Sequence, residues 1–200
     1  MSLTLREFIT KKVGLEEEEW EILEPHLRRR VLQKGESIRF KDDIWNEVMF
    51  IEEGMVRSYI INDEGKEFTR QFYFNSPESS VANLFVLDLT SLTLQTPSIR
   101  GFEVLQDCIV TVVPGEILYH LYETDKNWER VGRKMAELAY IDMERFYHEM
   151  LTLTPAQRYR RLEKNMQSLL CRVSQYHVAS YLGITPVSLS RIRKKMVKVT

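Results

Sequence analysis

The stretch SQYHVASYLGITPVSLSRIRKKM, residues 174–196, decides how the rest of the chain is read. With Gln175 as its first position, Ala179 falls fifth, where two crossing helices need a small side chain, and Gly183 ninth, where a tight turn needs a positive φ. Val178, Leu182, Ile184, Leu189 and Ile192 then occupy the inward positions of two short helices. Ser174 is placed to cap the first helix, and Thr185 followed by Pro186 gives the second a cap and a pre-set first turn. The spacing predicts a helix-turn-helix whose outward face carries Ser188, Arg191, Lys194 and Lys195. Spacing alone also fits an ordinary pair of packed core helices, and charge is what separates the two readings.

Residues 151–200 hold ten Lys/Arg and one acid, Glu163, whereas residues 1–150 hold 18 Lys/Arg and 28 Asp/Glu. The formal net charge of -1 therefore conceals a last quarter at +9 and a remainder at -10. So basic a segment can neutralise several phosphates and release their counterions, the sequence-independent part of DNA affinity. A solvated basic tail would carry the same charge, but not caps, a turn glycine and inward apolar positions in register with it.

Outward from this stretch the chain reads as ordinary globular protein, 44% hydrophobic and 28% charged, sufficient for one large domain and one small one. No apolar run approaches the roughly 20 residues that span a bilayer, and the N-terminus has no signal-peptide core, so a cytoplasmic protein with no membrane partner is expected. Cys108 and Cys171 lack a CxxC spacing, which leaves no readable disulfide framework, cysteine-ligated zinc or iron-sulfur site. The first 30 residues look helical, with Leu5, Phe8 and Ile9 on one face and Leu15, Trp20, Ile22 and Leu23 behind the acidic run Glu16 to Glu19. From Val31 the apolar period drops to about two, suggesting strands at 37–40, 47–51, 55–61, 68–74, 98–104 and 109–113. Lys34-Gly35-Glu36, Lys41-Asp42-Asp43, Glu53-Gly54 and Asp63-Glu64-Gly65 are the turns between them. Short strands at this spacing predict an antiparallel barrel or jelly roll.

After Pro114 the period is helical. Val131, Met135, Leu138, Ile141 or Asp142, Phe146 and Met150 recur along a long helix expected from about Trp128 to Leu151. Such a stripe covers a barrel or pairs two copies, and a helix-turn-helix favours pairing because such modules usually read two half-sites about one DNA turn apart. Val131, Met135, Leu138, Phe146 and Met150 are therefore the candidate dimer interface. Thr154-Pro155 is a second cap-and-proline pair, which ends the long helix near Thr152. The domains are placed at 1–127 for a β-roll sensor, 128–152 for the dimerisation helix and 153–200 for the helix-turn-helix. The fold class is α+β, with an N-terminal antiparallel β-roll and a winged-helix-like C-terminal part.

This order of parts resembles the cyclic-AMP receptor protein/FNR (Crp/Fnr) family of bacterial transcription regulators. The stretch from Arg172 to Lys195 is especially similar to the Bacteroidetes-type members, and Lys34-Gly35-Glu36 and Phe50-Ile51-Glu52-Glu53-Gly54 match the family's strand and turn pattern. The resemblance implies double-stranded DNA as partner, a homodimer, contact with RNA polymerase and control by a small-molecule effector. It implies base reading at Pro186, Val187 and Arg191, and a guanidinium can donate bidentately to the O6 and N7 of guanine. Pro186 and Val187 depart from the family's usual basic and acidic pair, so the family's consensus half-site does not carry over. Ser174, Gln175, Tyr176, Thr185 and Ser188 match positions that grip phosphates through hydroxyls and helix N-terminal amides.

The expected sensor departs further. Cyclic-nucleotide binders of this family carry a Gly-Glu turn followed by an Arg and a small hydroxyl residue, and residues 72–89 contain neither Gly nor Arg. Glu78 could imitate the ribose-binding acid, but nothing near it in sequence neutralises a phosphate, so cyclic AMP is not expected to bind. Phe50, Tyr59, Phe72, Phe74, Glu78 and Phe85 are the candidate lining of an effector pocket facing the long helix, although the aromatics equally suit a filled core. His26, His120, His148 and His177 stand in no metal-ligand spacing, and residues 31–113 contain no His, which removes the ligand set of a cupin-type enzyme. No metal, cofactor or catalytic group is therefore expected. The reading is a dimeric, DNA-binding transcription regulator. The alternative is a ligand- or partner-binding roll whose helix-turn-helix has lost DNA affinity.

Overall fold

A computed structural model describes residues 3–38 and 43–197. Helix α1 (Leu5–Phe8) runs into a π-type turn at Ile9–Val13, which ends at Gly14 in the left-handed region. Helix α2 (Glu17–Leu23) follows, its acidic run forming the first turn as expected from the macrodipole. The chain then becomes extended earlier than its sequence pattern suggests. Strand β1 (Arg28–Leu32) pairs antiparallel with β5 (Gly101–Pro114), from Arg28 opposite Val112 to Leu32 opposite Cys108. It is an edge strand with Leu32 alone buried, so it shows no period-two alternation.

Strands β2 (Glu47–Ile61), β3 (Glu67–Phe74) and β4 (Phe85–Val86) complete one antiparallel sheet in the order β1-β5-β2-β3, with β4 paired to β2. Two pairs of expected strands are fused. Residues 47–51 and 55–61 are one strand, and so are 101–104 and 109–113, because Glu53-Gly54 makes a bulge rather than a turn. Gly54 has φ +93°, and a Cβ there would lie 2.3 Å from the Asp107 carbonyl oxygen, so the long strands bend against each other at a site open only to glycine. Bent antiparallel strands of this kind are consistent with a β-roll. The expected strand at 37–40 is reduced to a bridge from Ser37 to Glu103, with Arg39 and Phe40 outside the described residues, as are Lys41 and Asp42 of the expected turn. Asp63-Glu64-Gly65 does turn the β2–β3 hairpin, with Gly65 donating its N–H to Asn62.

After α3 (Val81–Leu84), α4 (Leu89–Leu94) and β5, the chain is helical throughout the described residues. The helices are α5 (Gly115–Thr124), α6 (Lys126–Thr152), α7 (Pro155–Asn165), α8 (Gln167–Arg172), α9 (Gln175–Tyr181) and α10 (Pro186–Val197). No strand accompanies the last four, so the β-wing of a winged helix is not found among the described residues. Asp125 caps α6 by accepting from the N–H groups of Asn127 and Trp128, which starts the helix two residues before Trp128. Thr154 and Gln157 form a capping box with Pro155 in the first turn of α7, as the sequence pattern indicates.

Two apolar clusters lie on opposite faces of the sheet. Phe50, Ile51, Tyr73, Phe85, Phe102 and Val110 belong to the first, together with Phe8, Trp20, Trp128 and Val131. Met55, Phe72 and Phe74 point the other way and are covered by Tyr159, Leu162, Leu169, Val178, Leu182 and Leu189 from α7 to α10. The pleat dictates this division, since Phe72 and Phe74 flank Tyr73 and must face away from it. Phe74 is fully buried between sheet and helices. Its replacement by Ala should lower unfolding free energy by about 3–5 kcal/mol. Urea denaturation followed by tryptophan fluorescence and far-UV dichroism should show both signals shifting together in one transition.

Candidate nucleic-acid interface

Local chemistry builds the α9–α10 pair. Ser174 caps α9 by accepting from the His177 N–H at 3.3 Å. Gly183, at φ +68°, lets the chain reverse, its N–H bonding to Ser180 O at 3.1 Å while Ile184 N–H bonds to Ala179 O at 3.0 Å. Thr185 Oγ1 accepts from Ser188 N–H at 3.2 Å, and Pro186 opens α10. Val178, Ala179, Leu182 and Leu189 are buried against one another, with Ile184 and Ile192 packed at the margin. Ala179 is fully buried at the crossing.

The polar positions singled out from the sequence lie on the opposite side. Ser174, Gln175, Tyr176, Thr185, Pro186, Val187, Arg191, Lys194 and Lys195 are exposed, and Ser188 is half-buried. Val187, Arg191, Lys194 and Lys195 follow at steps of four, three and one and share one face of α10. Among the described residues no ion pair involves Arg191, Lys194 or Lys195, so their charge is not spent within the chain.

The reverse side of α9 is tied to the sheet. Ser180 Oγ accepts the Thr69 N–H at 2.8 Å and donates to Glu67 O at 3.1 Å, satisfying backbone groups on the free edge of β3. Arg172 at the end of α8 donates to Gly54 O at 2.9 Å and to Gln106 Oε1 at 2.6 Å. Ser168 Oγ donates to Glu78 at 2.7 Å. Glu78 is thus an exposed strut between the β3–α3 turn and α8. These three contacts escaped the sequence reading, because no local pattern marks a serine or arginine as bonded to residues 66–118 positions away.

Below α9 sits Arg57, 4% exposed, with Nη1 2.5 Å from Glu67 and Nη2 2.5 Å from Glu103, and with its guanidinium stacked 4.6 Å above the Tyr59 ring. His177 reaches toward this group. Its Nδ1 is buried without a hydrogen-bond partner. Burial first and the Arg57 charge second lower the His177 pKa below its ordinary 6.5, against the opposing pull of Glu103 and Glu67.

The expected effector pocket is not assembled. Phe50 and Phe85 meet at 5.2 Å inside the roll, Phe72 and Phe74 face the C-terminal helices, and Tyr59 lies under Arg57 against Gly101. The four phenylalanines are core in two separate clusters, and Tyr59 is half-buried outside both. The expected dimer stripe turns inward at Val131, Met135 and Phe146 and stays exposed at Leu138 and Met150. Val131 is buried in its own chain, Met135 packs beside it, and Phe146 lies against Tyr181 and beneath Arg70. Leu138 and Met150 are exposed, at 38% and 37%, as is Met143 at 38%. A second exposed apolar seam of α6 is Tyr140, Met143, Tyr147 and Leu151, at steps of three, four and four, with Ile141 exposed beside it. The sequence shows both stripes, and burial decides which one the chain uses itself.

Solved structures share this architecture. A protein from Eubacterium rectale, titled as a transcriptional regulator of the crp/fnr family, superposes with a TM-score of 0.66 at 17% identity, covering 95% of this chain and 87% of that one. The c-di-GMP responsive global regulator CLP of Xanthomonas campestris gives 0.67 at 15%, covering 92% of both chains. A CooA mutant from Carboxydothermus hydrogenoformans gives 0.66 at 14%, covering 100% and 86%. No protein-family model and no curated protein matches the chain. Likeness at these identities establishes a shared fold: mixed helix and antiparallel sheet, as in Crp/Fnr regulators.

The lowered His177 pKa has a definite sign. The unfolded chain holds the proton more tightly, so the stability tied to neutral His177 is complete above pH 6.5 and is lost as pH falls from there through the depressed folded pKa. Melting temperature measured between about pH 7.5 and pH 5 should fall more steeply for the parent chain than for His177→Gln. Carboxylate titrations are common to both proteins and cancel in the difference. Parallel pH curves would show that His177 is not desolvated on the sheet.

Proposed function

We propose that this chain is a dimeric, DNA-binding transcriptional regulator of the Crp/Fnr type, acting in the cytoplasm and performing no catalysis of its own. Structural neighbours that are transcription regulators support the kind of function. The observation that carries the reading is the face of α10, where exposed cations without carboxylate partners stand beyond a capped turn. In this reading α9 and α10 are a helix-turn-helix. α10 enters the major groove and Arg191 reaches a guanine edge, while Ser174, Gln175, Tyr176, Thr185 and Ser188 meet the phosphates. Lys194 and Lys195 supply sequence-independent attraction. Pro186 begins the helix and Val187 offers contact to a thymine methyl, so discrimination rests mainly on Arg191.

The dimer forms through the exposed seam of α6, Tyr140, Met143, Tyr147 and Leu151. A free apolar seam on a 27-residue helix is what a parallel helix pair buries. An interface of standard size buries roughly 1,200–2,000 Å² in total. Tyr147→Glu combined with Leu151→Glu should convert the protein to a monomer by light scattering while leaving its far-UV spectrum unchanged.

Selection from a random duplex library supplies the site on which the DNA reading is tested. Arg191→Ala should cost about 1–3 kcal/mol on the selected site and erase the preference at one base pair. Lys195→Ala should weaken selected and random duplexes alike and make the salt dependence shallower. Failure of any duplex to bind at low salt would leave the alternative, a partner-binding roll, in which the exposed Val187 is a protein contact.

A further inference from the structure

Outside the roll, where β3, α3, α6, α7 and α9 converge, lies a cavity of about 370 Å³. It is on the sheet face that carries Phe72 and Phe74, the side covered by the C-terminal helices, and not within the interior filled by Phe50 and Phe85. A cavity of this size falls within the range that holds small organic ligands.

Its charges do not cancel. Of the three wall carboxylates, Asp142 has Arg145 at 3.6 Å and the Ala82 N–H, Glu149 has Arg161 at 2.6 Å, and Glu78 has only the neutral Ser168, so four guanidinium groups against three carboxylates leave a net charge of +1. Two guanidinium groups have no carboxylate. Arg158 is spent on the carbonyl oxygens of Met150, Leu153 and Leu182, acceptors that carry no net charge, and its buried Nε has no partner. Arg70 stacks 4.5 Å from the Phe146 ring and, among the described residues, has neither a carboxylate nor a hydrogen-bond acceptor. Its flat face is used and its donor edge is free. Stacking orients the fork without neutralising it, which is how a guanidinium is held ready for an anionic group.

The remaining wall is apolar and polarisable, from Phe146, Leu162, Met166 and Tyr181. Burial pushes the Tyr181 phenol up to about 12, so near neutrality it stays a neutral donor and adds no negative charge to the site. Inorganic anions match the fork but leave the apolar wall wet, and neutral apolar molecules leave the net positive charge uncompensated. We propose that this junction is a binding site for a small amphipathic anion, whose carboxylate or phosphate head pairs with Arg70 and whose apolar body lies on Phe146, Leu162 and Met166. Such a ligand touches the sheet edge, the long helix and the C-terminal helices at once. The inference rests on cavity, charge and packing and does not depend on the DNA-binding reading.

Calorimetry on the full chain, free of DNA, tests it with four probes: 4-phenylbutyrate, 4-phenylbutyl phosphate, 4-phenylbutanol and inorganic phosphate. At least one of the amphipathic anions should bind about tenfold or more tightly than either the alcohol or inorganic phosphate. Whichever of the two binds better identifies the head. Arg70→Gln should weaken that binding about tenfold, while Met166→Trp should abolish it by filling the cavity with Arg70 intact. Unfolding curves of both variants establish that they fold. Equal binding of inorganic phosphate, indifference to Arg70→Gln, or no binding of either amphipathic anion would each overturn the proposal.

Discussion

The outer face of β2 and β3 cannot meet water, and the arrangement of the C-terminal helices follows from that constraint. Met55, Phe72 and Phe74 are three large apolar side chains on the side of the sheet away from the roll interior. Covering each contributes roughly 1.5–3 kcal/mol. The cover comes from α7 to α10, and three polar contacts fix its position: Ser180 on the edge of β3, Arg172 on the Gly54 bulge and Ser168 on Glu78. The apolar patch supplies the energy and the polar contacts choose the register. Because Ser180 sits on the back of α9, the same contact that holds the helix to the sheet keeps its opposite face, with Gln175 and Tyr176, in solvent.

Arg57 is the costliest member of this arrangement. A guanidinium 4% exposed loses most of its hydration, and two carboxylates, a threonine hydroxyl and an aromatic face replace it. Buried pairs of this sort add little net stability, but removal of one partner strands a charge and is strongly destabilising. Two carboxylates on one guanidinium leave the group with a surplus of one negative charge, partly screened at its exposed acidic edges. His177 nevertheless stays on the neutral side, because desolvation is the largest influence on it and the nearest charge is the cation. The junction between sheet and α9 therefore contains an ionic centre whose balance any rotation of that helix would disturb.

The legible parts of the sequence were those governed by neighbours in the chain. Ser174, Thr185-Pro186, Thr154-Pro155 and Gly183 each act within four residues, and the helices they start or end lie where the spacing puts them. Reading failed where the deciding partner is distant. Arg28–Leu32 became a strand because β5 is beside it, not because its residues alternate. Glu53-Gly54 looks like a turn, yet Asp107 and Cys108 press on it and make it a bulge within one long strand. The aromatics of the supposed pocket are spread over two faces, a division visible in the alternation of Phe72, Tyr73 and Phe74 once β3 is known to be covered on both sides. On α6, two apolar stripes run side by side, and the choice between them is made by α3 and α5 packing onto one of them.

That choice gives α6 two distinct faces with different obligations. Trp128, Val131 and Met135 belong to the roll at its N-terminal end, and Phe146 belongs to the C-terminal helices through Tyr181. Between them, Asp142 accepts the Ala82 N–H from the short helix that follows β3. Arg70 completes the circuit by standing on β3 and stacking on Phe146. The helix is thus joined to the roll near its N-terminus and, through Asp142 and Phe146, to α3 and β3 further along, while Tyr140, Met143, Tyr147 and Leu151 keep exposed surface. A rigid helix cannot move at one of these points without moving at the others, because close packing transmits displacement rather than absorbing it. Phe146 touches both Arg70 and Tyr181, which places the stacked guanidinium one ring away from a residue two positions before the glycine of the α9–α10 turn.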